Sequence, residues 1–170
     1  DYSGQMKDAA FQDPSFTQDH YINITGGNDK GTFAASLGYY KEDGLIKGTS
    51  YERFSGTFNG SYKIFPILTV NAGTTYTWSR QPGLWIGSYE FFYRTMSQRP
   101  TWNPYMEDGS PASGFGTGDG NPLYYKDKLT NTNGTRRSTY NIGFDLEIIP
   151  KKLILKENSA LYHVCLLYTS

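Results

Sequence analysis

The sequence predicts an all-β fold, an antiparallel up-and-down meander of about six long strands that forms a fragment of a transmembrane β-barrel. Three observations predict it: apolar and polar residues alternate, the alternating segments are long, and short connections alternate with long ones. Residues 54–64 alternate without interruption, with Phe54 and Phe58 on one face of the strand and Asn59 and Ser61 on the other. Because the side chains of a strand point to opposite faces in turn, this pattern predicts one apolar face and one polar face.

The length of the alternating segments favours a membrane-crossing sheet. Strands of soluble domains usually have about 5–6 residues, whereas a strand that crosses a bilayer at a tilt needs about 9–11. The two central segments, residues 51–64 and 67–79, are of membrane-crossing length. The complete set of strands is predicted near residues 20–25, 32–40, 51–64, 67–79, 136–149 and 153–162.

The alternation also assigns side chains to the two sides of such a barrel wall. The apolar and aromatic residues of the central strands are predicted to face lipid: Phe54, Phe58, Tyr62, Leu68, Val70, Tyr76 and Trp78. Several of the aromatic residues lie toward the strand ends, where outer-membrane barrels carry an interfacial girdle. Polar residues of the other face are predicted to line the lumen: Asn59, Ser61, Asn71, Thr75, Asp145 and Glu147.

The predicted connections alternate in length. Short turns fall at residues 26–31, 65–67 and 149–152, and longer connections fall at residues 41–50 and 80–135. Successive connections of a meander lie at opposite ends of the sheet, so the long loops are expected to gather at one end. Outer-membrane barrels are built in this way, with short periplasmic turns and longer loops outside.

Two segments outside the strands have a predicted structure of their own. Residues 1–19 are polar and interrupted by Pro14, which predicts an irregular lead-in. Within the long loop, residues 84–97 place aromatic and aliphatic side chains at helical spacing, including Ile86, Phe92, Tyr93 and Met96. One short helix is therefore predicted there.

The end of the chain departs from the barrel pattern. Glu157 shares a face with Leu153 and Leu155, which predicts a bulge or an early exit from lipid at that point. Residues 165–170 match the translated mosaic end of a transposase adapter, so we interpret them as a sequencing artefact, with a natural hydrophobic tail as the alternative. Cys165, the one cysteine of the chain, lies in this segment, so no disulfide framework is predicted.

Composition and spacing argue against several classes of function. The 16 basic and 16 acidic residues balance to zero net charge, which argues against a nucleic-acid surface. His20 and His163 are far apart in the sequence, and no group of acids has the spacing of a catalytic pair. We therefore predict no enzyme, no cofactor and no metal centre. A calcium cradle at Asp108 and Asp119 remains an alternative in the long loop, although its spacing matches no known site.

Six motifs are similar to those of SusC/RagA-type TonB-linked outer-membrane transporters. The resemblance covers residues 15–163 and is specific in order and spacing over residues 20–62. The motifs are TGGNDK at 25–30, FAASLGYY at 33–40, EDGLIK at 42–47, YERF at 51–54, PTWNPY at 100–105 and NPL at 121–123.

The resemblance implies a multi-pass protein of the bacterial outer membrane. Full members have a plug domain inside a barrel of about 22 strands, a SusD-like lipoprotein lid, and energy supplied through TonB. They import oligosaccharides or peptides. This chain would supply the early strands and would lack the plug and the TonB-contacting segment. The lumen-facing residues would then hydrate the interior or contact the plug.

Aromatic residues of the long loop are the candidate site. Their rings offer a large contact area with a polar tip, and could stack on sugar rings, contact the lid, or pack against their own loop. The candidates are Trp102, Tyr105, Trp85, Tyr89, Tyr124 and Tyr125. The alternative function is a soluble carbohydrate-binding β-sandwich, in which a second sheet would cover the apolar faces.

Overall fold

The protein is one antiparallel sheet with short helices at one end, as seen in a computed structural model. The structure describes residues 3–12, 14–84, 86–99, 101–113, 120–126, 130–149 and 152–169. The strands are β1 Thr17–Gly27, β2 Gly31–Asp43, β3 Ser50–Phe65, β4 Leu68–Leu84, β5 Thr130–Ile149 and β6 Leu153–Thr169. The helices are α1 Ser3–Ala10, α2 Ser88–Met96 and α3 Pro122–Lys126.

The strands follow one another across the sheet in chain order, and every neighbouring pair is antiparallel. The predicted all-β meander of six long strands is therefore confirmed. The sheet is open, with β1 and β6 as its two edges. The strands range from 11 residues in β1 to 20 in β5, which is well beyond the usual length in soluble domains.

The register gathers the two sets of predicted side chains on opposite faces. Phe54 pairs with Tyr39 of β2 and Trp78 of β4, and directly paired residues share a face. Following the register across the sheet, one face, here called the apolar face, carries all seven residues predicted to meet lipid. The other, the polar face, carries all six residues predicted to line the lumen.

Neither face of the sheet is covered within the described part of the chain. Phe58, at the centre of β3, is 47% exposed, and Tyr62 and Tyr76 are also exposed. A sandwich would bury such residues beneath a second sheet. All six strands instead belong to a single sheet, so the described residues lack the second layer that the sandwich alternative requires.

The connections sort by length as the sequence predicts. Residues 28–30, 66–67 and 150–152 separate the strands at one end, and residues 44–49 and 85–129 separate them at the other. In the first turn, the Asn28 side-chain oxygen accepts hydrogen bonds from the backbone N–H groups of Lys30 and Gly31, at 2.9 and 3.0 Å. This side chain closes the turn in place of a longer loop.

Helices α1 and α3 were not predicted. The lead-in that was predicted to be irregular contains α1, and the long connection contains α3 as well as α2. Isolated helices of this length are marginal in water, so packing has to stabilise them. None of the helices in the described residues is long and apolar enough to span a membrane.

The prediction of a bulge at Glu157 is wrong, and the alternative of an early exit from lipid stays a prediction. Strand β6 continues through Glu157 to Thr169, and the irregularity of this hairpin lies in β5, between Glu147 and Ile149. The Glu157 carboxylate accepts a hydrogen bond from the Ser159 hydroxyl at 2.6 Å. This exposed edge strand can therefore carry the charge without breaking the ladder. The adapter interpretation of residues 165–170 stays a prediction.

Candidate functional site

A helical cap lies at the end of the sheet that carries the long connections. Its core consists of Met6 and Ala10 of α1, Phe91 of α2 and Leu123 of α3, all of them 5% exposed or less. Each helix contributes a side chain that would be exposed in isolation. The cap is the buried hydrophobic core of the described residues, in contrast to the uncovered sheet.

Backbone hydrogen bonds tie the cap to the connection between β2 and β3. The N–H of Gln12 donates to the Leu45 carbonyl at 2.7 Å, and the N–H of Lys47 donates to the Ala10 carbonyl at 3.0 Å. The Lys47 ammonium also donates to the carbonyl of Asp8 at 2.6 Å. Helix α1 is therefore fixed to a loop that leads directly into the sheet.

The structure separates the six aromatic candidates of the long loop. Trp102 and Tyr105 are half-buried and pack against the cap core. Tyr89 is 82% exposed, and Tyr124 is half-buried in α3. Trp85 and the side chain of Tyr125 lie outside the described residues. Trp102 and Tyr105 thus contribute to the cap, and Tyr89 points to solvent.

The buried face of α2 differs from the predicted one. The predicted stripe included Phe92, Tyr93 and Met96, which are exposed. Phe91 and Thr95 are buried instead, and the Thr95 hydroxyl donates to the Phe91 carbonyl at 2.8 Å. Three aromatic residues follow one another at 91–93, so spacing alone could not decide which of them docks on α1 and α3.

Asn121 belongs to the NPL motif at 121–123, and the sequence pattern predicts no structural role for its side chain. Its side chain is completely buried, and its amide nitrogen donates to the carbonyls of Pro104 and Ala112 at 2.9 and 2.7 Å. Its side-chain oxygen accepts from the N–H of Leu123 at 3.1 Å. Asn121 therefore joins the segment that carries Trp102 to the start of α3. The signal was the asparagine–proline pair at 121–122.

An aromatic and charged cluster lies on the polar face near the cap. The register pairs Tyr40 with Arg53 and Glu42 with Tyr51. The Tyr40 hydroxyl donates to a Glu42 carboxylate oxygen at 2.7 Å, and the Arg53 guanidinium lies 5.7 Å from the centre of the Tyr40 ring. The rings of Tyr40 and Tyr51 are 6.1 Å apart. This polar-face cluster depends on the register of β2 against β3, which the sequence pattern does not indicate.

Two asparagine amides converge at the middle of the polar face. Gly73 lies between Asn59 of β3 and Asn141 of β5, and a Cβ at Gly73 would collide with both side chains. The absence of a side chain at Gly73 lets the amides approach each other. A shallow depression of about 330 Å³ opens beside them, lined also by Ser61 and Asn71. Its polar lining side chains are uncharged amides and hydroxyls.

The remaining predicted lumen residues are also on the polar face. Thr75 pairs with Thr57 and Thr139. The Asp145 carboxylate lies 3.3 Å from the Lys156 ammonium in an exposed pair. Such a pair contributes about 0–1 kcal/mol to stability. Glu147 follows two residues later on the same face, and its N–H donates to the carbonyl of Ile67 at 2.8 Å.

Asp108 closes a turn of the long connection. Its carboxylate accepts hydrogen bonds from the Ser110 hydroxyl at 2.6 Å and the Ser110 N–H at 2.9 Å. These bonds favour the charged form and hold the pKa of Asp108 below its ordinary value. Asp119 lies outside the described residues, so the calcium alternative stays a prediction. The described residues contain no group of three or more side chains placed to hold a metal ion.

Comparison with known proteins finds relatives among TonB-dependent receptors. No model of a protein family matches the chain. TonB-dependent receptor P39 of Formosa agariphila is 28% identical over 78 residues, which is 46% of this chain and 7% of the receptor. TonB-dependent receptor P26 of the same organism is 24% identical over 135 residues, 77% of this chain and 13% of the receptor. The chain thus spans a small part of each relative.

Solved structures with the same fold include two of RagAB. The RagAB peptide importer in its 'closed-closed' state matches with a TM-score of 0.71 and 20% identity, covering 94% of this chain and 18% of that chain. The RagAB peptide transporter matches with a TM-score of 0.68 and 19% identity, covering 92% and 18%. At these identities the matches show a shared fold. Together with the receptor relatives, they confirm the predicted resemblance to SusC/RagA-type TonB-linked transporters.

Proposed function

We propose that the chain is part of an outer-membrane, TonB-linked transporter that imports peptides or oligosaccharides. The observation that carries this proposal is the single open sheet of long strands, with one apolar and one polar face and its long connections at one end. Exposed aromatic residues such as Phe58 and Tyr62 are costly in water. In lipid they need no second sheet to cover them.

The open edges also support a larger barrel. Strands β1 and β6 leave a row of backbone N–H and C=O groups without a neighbouring strand in the described sheet. Such groups cannot be left unsatisfied in hydrocarbon. We infer that further strands close the wall, giving a barrel of about 22 strands as in plugged outer-membrane transporters. The polar face would then line the lumen and contact the plug.

The polar face supplies groups that suit either substrate class. Tyr40 and Tyr51 offer ring surfaces that can pack on a sugar ring or a peptide side chain. Arg53 and Glu42 offer a donor and an acceptor beside those rings. The RagAB peptide importer and peptide transporter share this fold, which favours a peptide. A SusD-like lid would cover the cap, where the exposed Tyr89 is available for contact, and TonB would act from the short-turn side.

The proposal is tested by comparing two arginine substitutions at neighbouring positions of β3 in the intact transporter. Phe58→Arg places a charge on the apolar face, where it should cost about 2–4 kcal/mol at the bilayer midplane. Thr57→Arg places the same charge on the polar face and should cost much less. Unfolding by denaturant in lipid or detergent measures both.

Equal losses of stability in the two variants would contradict the proposal. A second contradiction would be an intact protein that is recovered as a monomer in water without detergent. Uptake of labelled peptides and of labelled oligosaccharides into whole cells then separates the two substrate classes.

A further inference from the structure

Basic side chains lie at the cap end of the apolar face. The register places Lys41 of β2, Glu52 of β3 and Arg80 of β4 in one row across the sheet. The next row toward the short turns contains Tyr39, Phe54 and Trp78, followed by Arg136 of β5. Lys41 and Arg80 therefore lie one row nearer the cap than the aromatic residues. Arg136 lies in the same row as the aromatic residues, on β5.

The height of the apolar face puts these rows at a membrane surface. Residues 54–64 rise about 33 Å along the strand at about 3.3 Å per residue. A barrel tilt of 35–45° reduces this to about 25 Å, which is the height of the apolar band of outer-membrane barrels. If the short turns face the periplasm, the aromatic row lies at the outer interface. The basic residues then lie at the level of the outer lipid headgroups.

The arginines have the geometry for a shared anion. Arg80 pairs with Gly134, and Trp78 pairs with Arg136, so the two arginines are diagonal neighbours on β4 and β5. Diagonal neighbours on a face are about 7–8 Å apart, within reach of long side chains. Gly134 has no side chain beside Arg80, although Leu167 of β6 lies close by, with its Cβ 3.3 Å from where a Cβ of Gly134 would be. Both arginines are exposed.

The neighbouring acidic side chains do not form ion pairs with Arg80 or Arg136 in the described part of the chain, so both guanidinium groups are available to bind an anion. Lys41 lies 3.8 Å from the carboxylate of Glu52, and Asp43 is the other acid at this end of the face. The three basic side chains outnumber the two acids by one, although Glu52 is also the direct cross-strand partner of Arg80, so this end of the face has a net positive charge.

We propose that Arg80 and Arg136 bind the phosphate groups of a phosphorylated glycolipid of the lipopolysaccharide class. Guanidinium groups bind phosphate oxygens in pairs through parallel N–H donors. The acyl chains of the same lipid would pack along Trp78, Phe54 and the apolar residues below them. Lys41, on β2 at the side of this site, would add a further positive charge. This inference rests on the proposed function, because it requires the apolar face to meet the outer leaflet.

The test measures binding of purified lipopolysaccharide to the intact transporter in detergent. The double variant Arg80→Gln with Arg136→Gln should bind at least about tenfold more weakly, because it loses charge-assisted hydrogen bonds to phosphate. Arg137→Gln is the matched control, since Arg137 is the next residue but lies on the polar face. It should bind like the parent protein. The double lysine variant, Arg80→Lys with Arg136→Lys, keeps both charges but loses the parallel N–H donors, so it should bind more strongly than the glutamine variant and more weakly than the parent protein.

Binding measurements with two other lipids identify the chemical group that the protein binds. Lipopolysaccharide stripped of phosphate should lose binding to the parent protein and should no longer distinguish the glutamine variant from it. Phosphatidylglycerol in mixed micelles should compete poorly, since it carries one phosphate and no sugar backbone. Unchanged binding by the glutamine variant, equal loss in Arg137→Gln, or equal competition by phosphatidylglycerol would each overturn the inference.

Membrane fractionation separates this inference from the proposed function. If the transporter is recovered in the outer membrane and the glutamine variant binds lipopolysaccharide as well as the parent protein does, only the lipid site is contradicted. A protein recovered as a water-soluble monomer contradicts the proposed function and the lipid site together. If the glutamine variant does not fold, the lysine variant and the phosphate-free lipid still decide the result.

Discussion

Phe91 in the cap is completely buried, whereas Phe58 at the centre of the sheet is 47% exposed. The cap buries side chains from three helices against one another. The sheet holds its strands together through backbone ladders and leaves both faces open. The difference shows that the two regions depend on different surroundings. The cap carries its own core, whereas the apolar face of the sheet is left uncovered and, in the function proposed above, would be covered by lipid.

The largest expected effect is on the cap. Phe91→Ala should destabilise it by about 3–5 kcal/mol, because it removes a buried ring and leaves a cavity between α1, α2 and α3. Phe92→Ala is the matched control, since Phe92 is exposed and meets Phe11 edge-on at a centroid distance of 6.0 Å.

Hydrogen exchange in the intact protein distinguishes the regions. Exchange in residues 88–96 should accelerate strongly in Phe91→Ala and weakly in Phe92→Ala, while β3 and β4 keep their protection. Loss of protection across the sheet in Phe91→Ala would show that the cap and the sheet unfold as one unit, contrary to this comparison.

The same contrast explains which parts of the fold could be predicted. The alternation around Phe54 and Asn59 is local in the sequence and holds whatever the strand pairs with, so strand number, order and faces were predicted. Helix α1 has no comparable local signal, because Met6 and Ala10 become a helix face only when Phe91 and Leu123 cover them. Packing from distant parts of the chain decided its structure.

In the candidate site, too, the features set by local sequence were predictable and those set by contacts between distant segments were not. The polar set that includes Asn59 and Ser61 was assigned from alternation, and the structure gathers it on one face. The cluster of Tyr40 and Arg53 was missed, because only the pairing of β2 with β3 brings them together. Trp102 was identified as a site candidate, but its contacts with the cap core give it a packing role that the turn-rich sequence around it did not indicate.

A smaller effect is expected at Asn121. Asn121→Ala should destabilise the cap by about 1–3 kcal/mol, because the half-buried Ala112 carbonyl loses the Asn121 donor and the Pro104 carbonyl keeps only the N–H of Ala112. Asn103→Ala is the control, since the exposed Asn103 side chain accepts one hydrogen bond, from the N–H of Tyr105 at 3.1 Å.

Limited proteolysis within residues 101–113 measures the effect in the intact protein. Cleavage should be faster in Asn121→Ala than in Asn103→Ala. Equal cleavage rates would mean that the segment is held by the packing of Trp102 and Tyr105 rather than by the Asn121 amide.

The smallest effect is expected within the sheet, and it compares two glycines on opposite faces. At Gly60 on the apolar face, an added Cβ would lie 3.5 Å from the Phe58 ring, an ordinary contact. Gly60→Ala should therefore stabilise the intact barrel by up to about 0.4–1 kcal/mol, through the lower entropy of the unfolded chain. At Gly73, the new methyl group must displace the amides of Asn59 and Asn141, which should cancel that gain. Denaturant unfolding in detergent should give Gly73→Ala a lower free energy of unfolding than Gly60→Ala. If Gly73→Ala stabilises the barrel equally, the two amides move freely, and the depression beside them is not a preformed feature of the polar face.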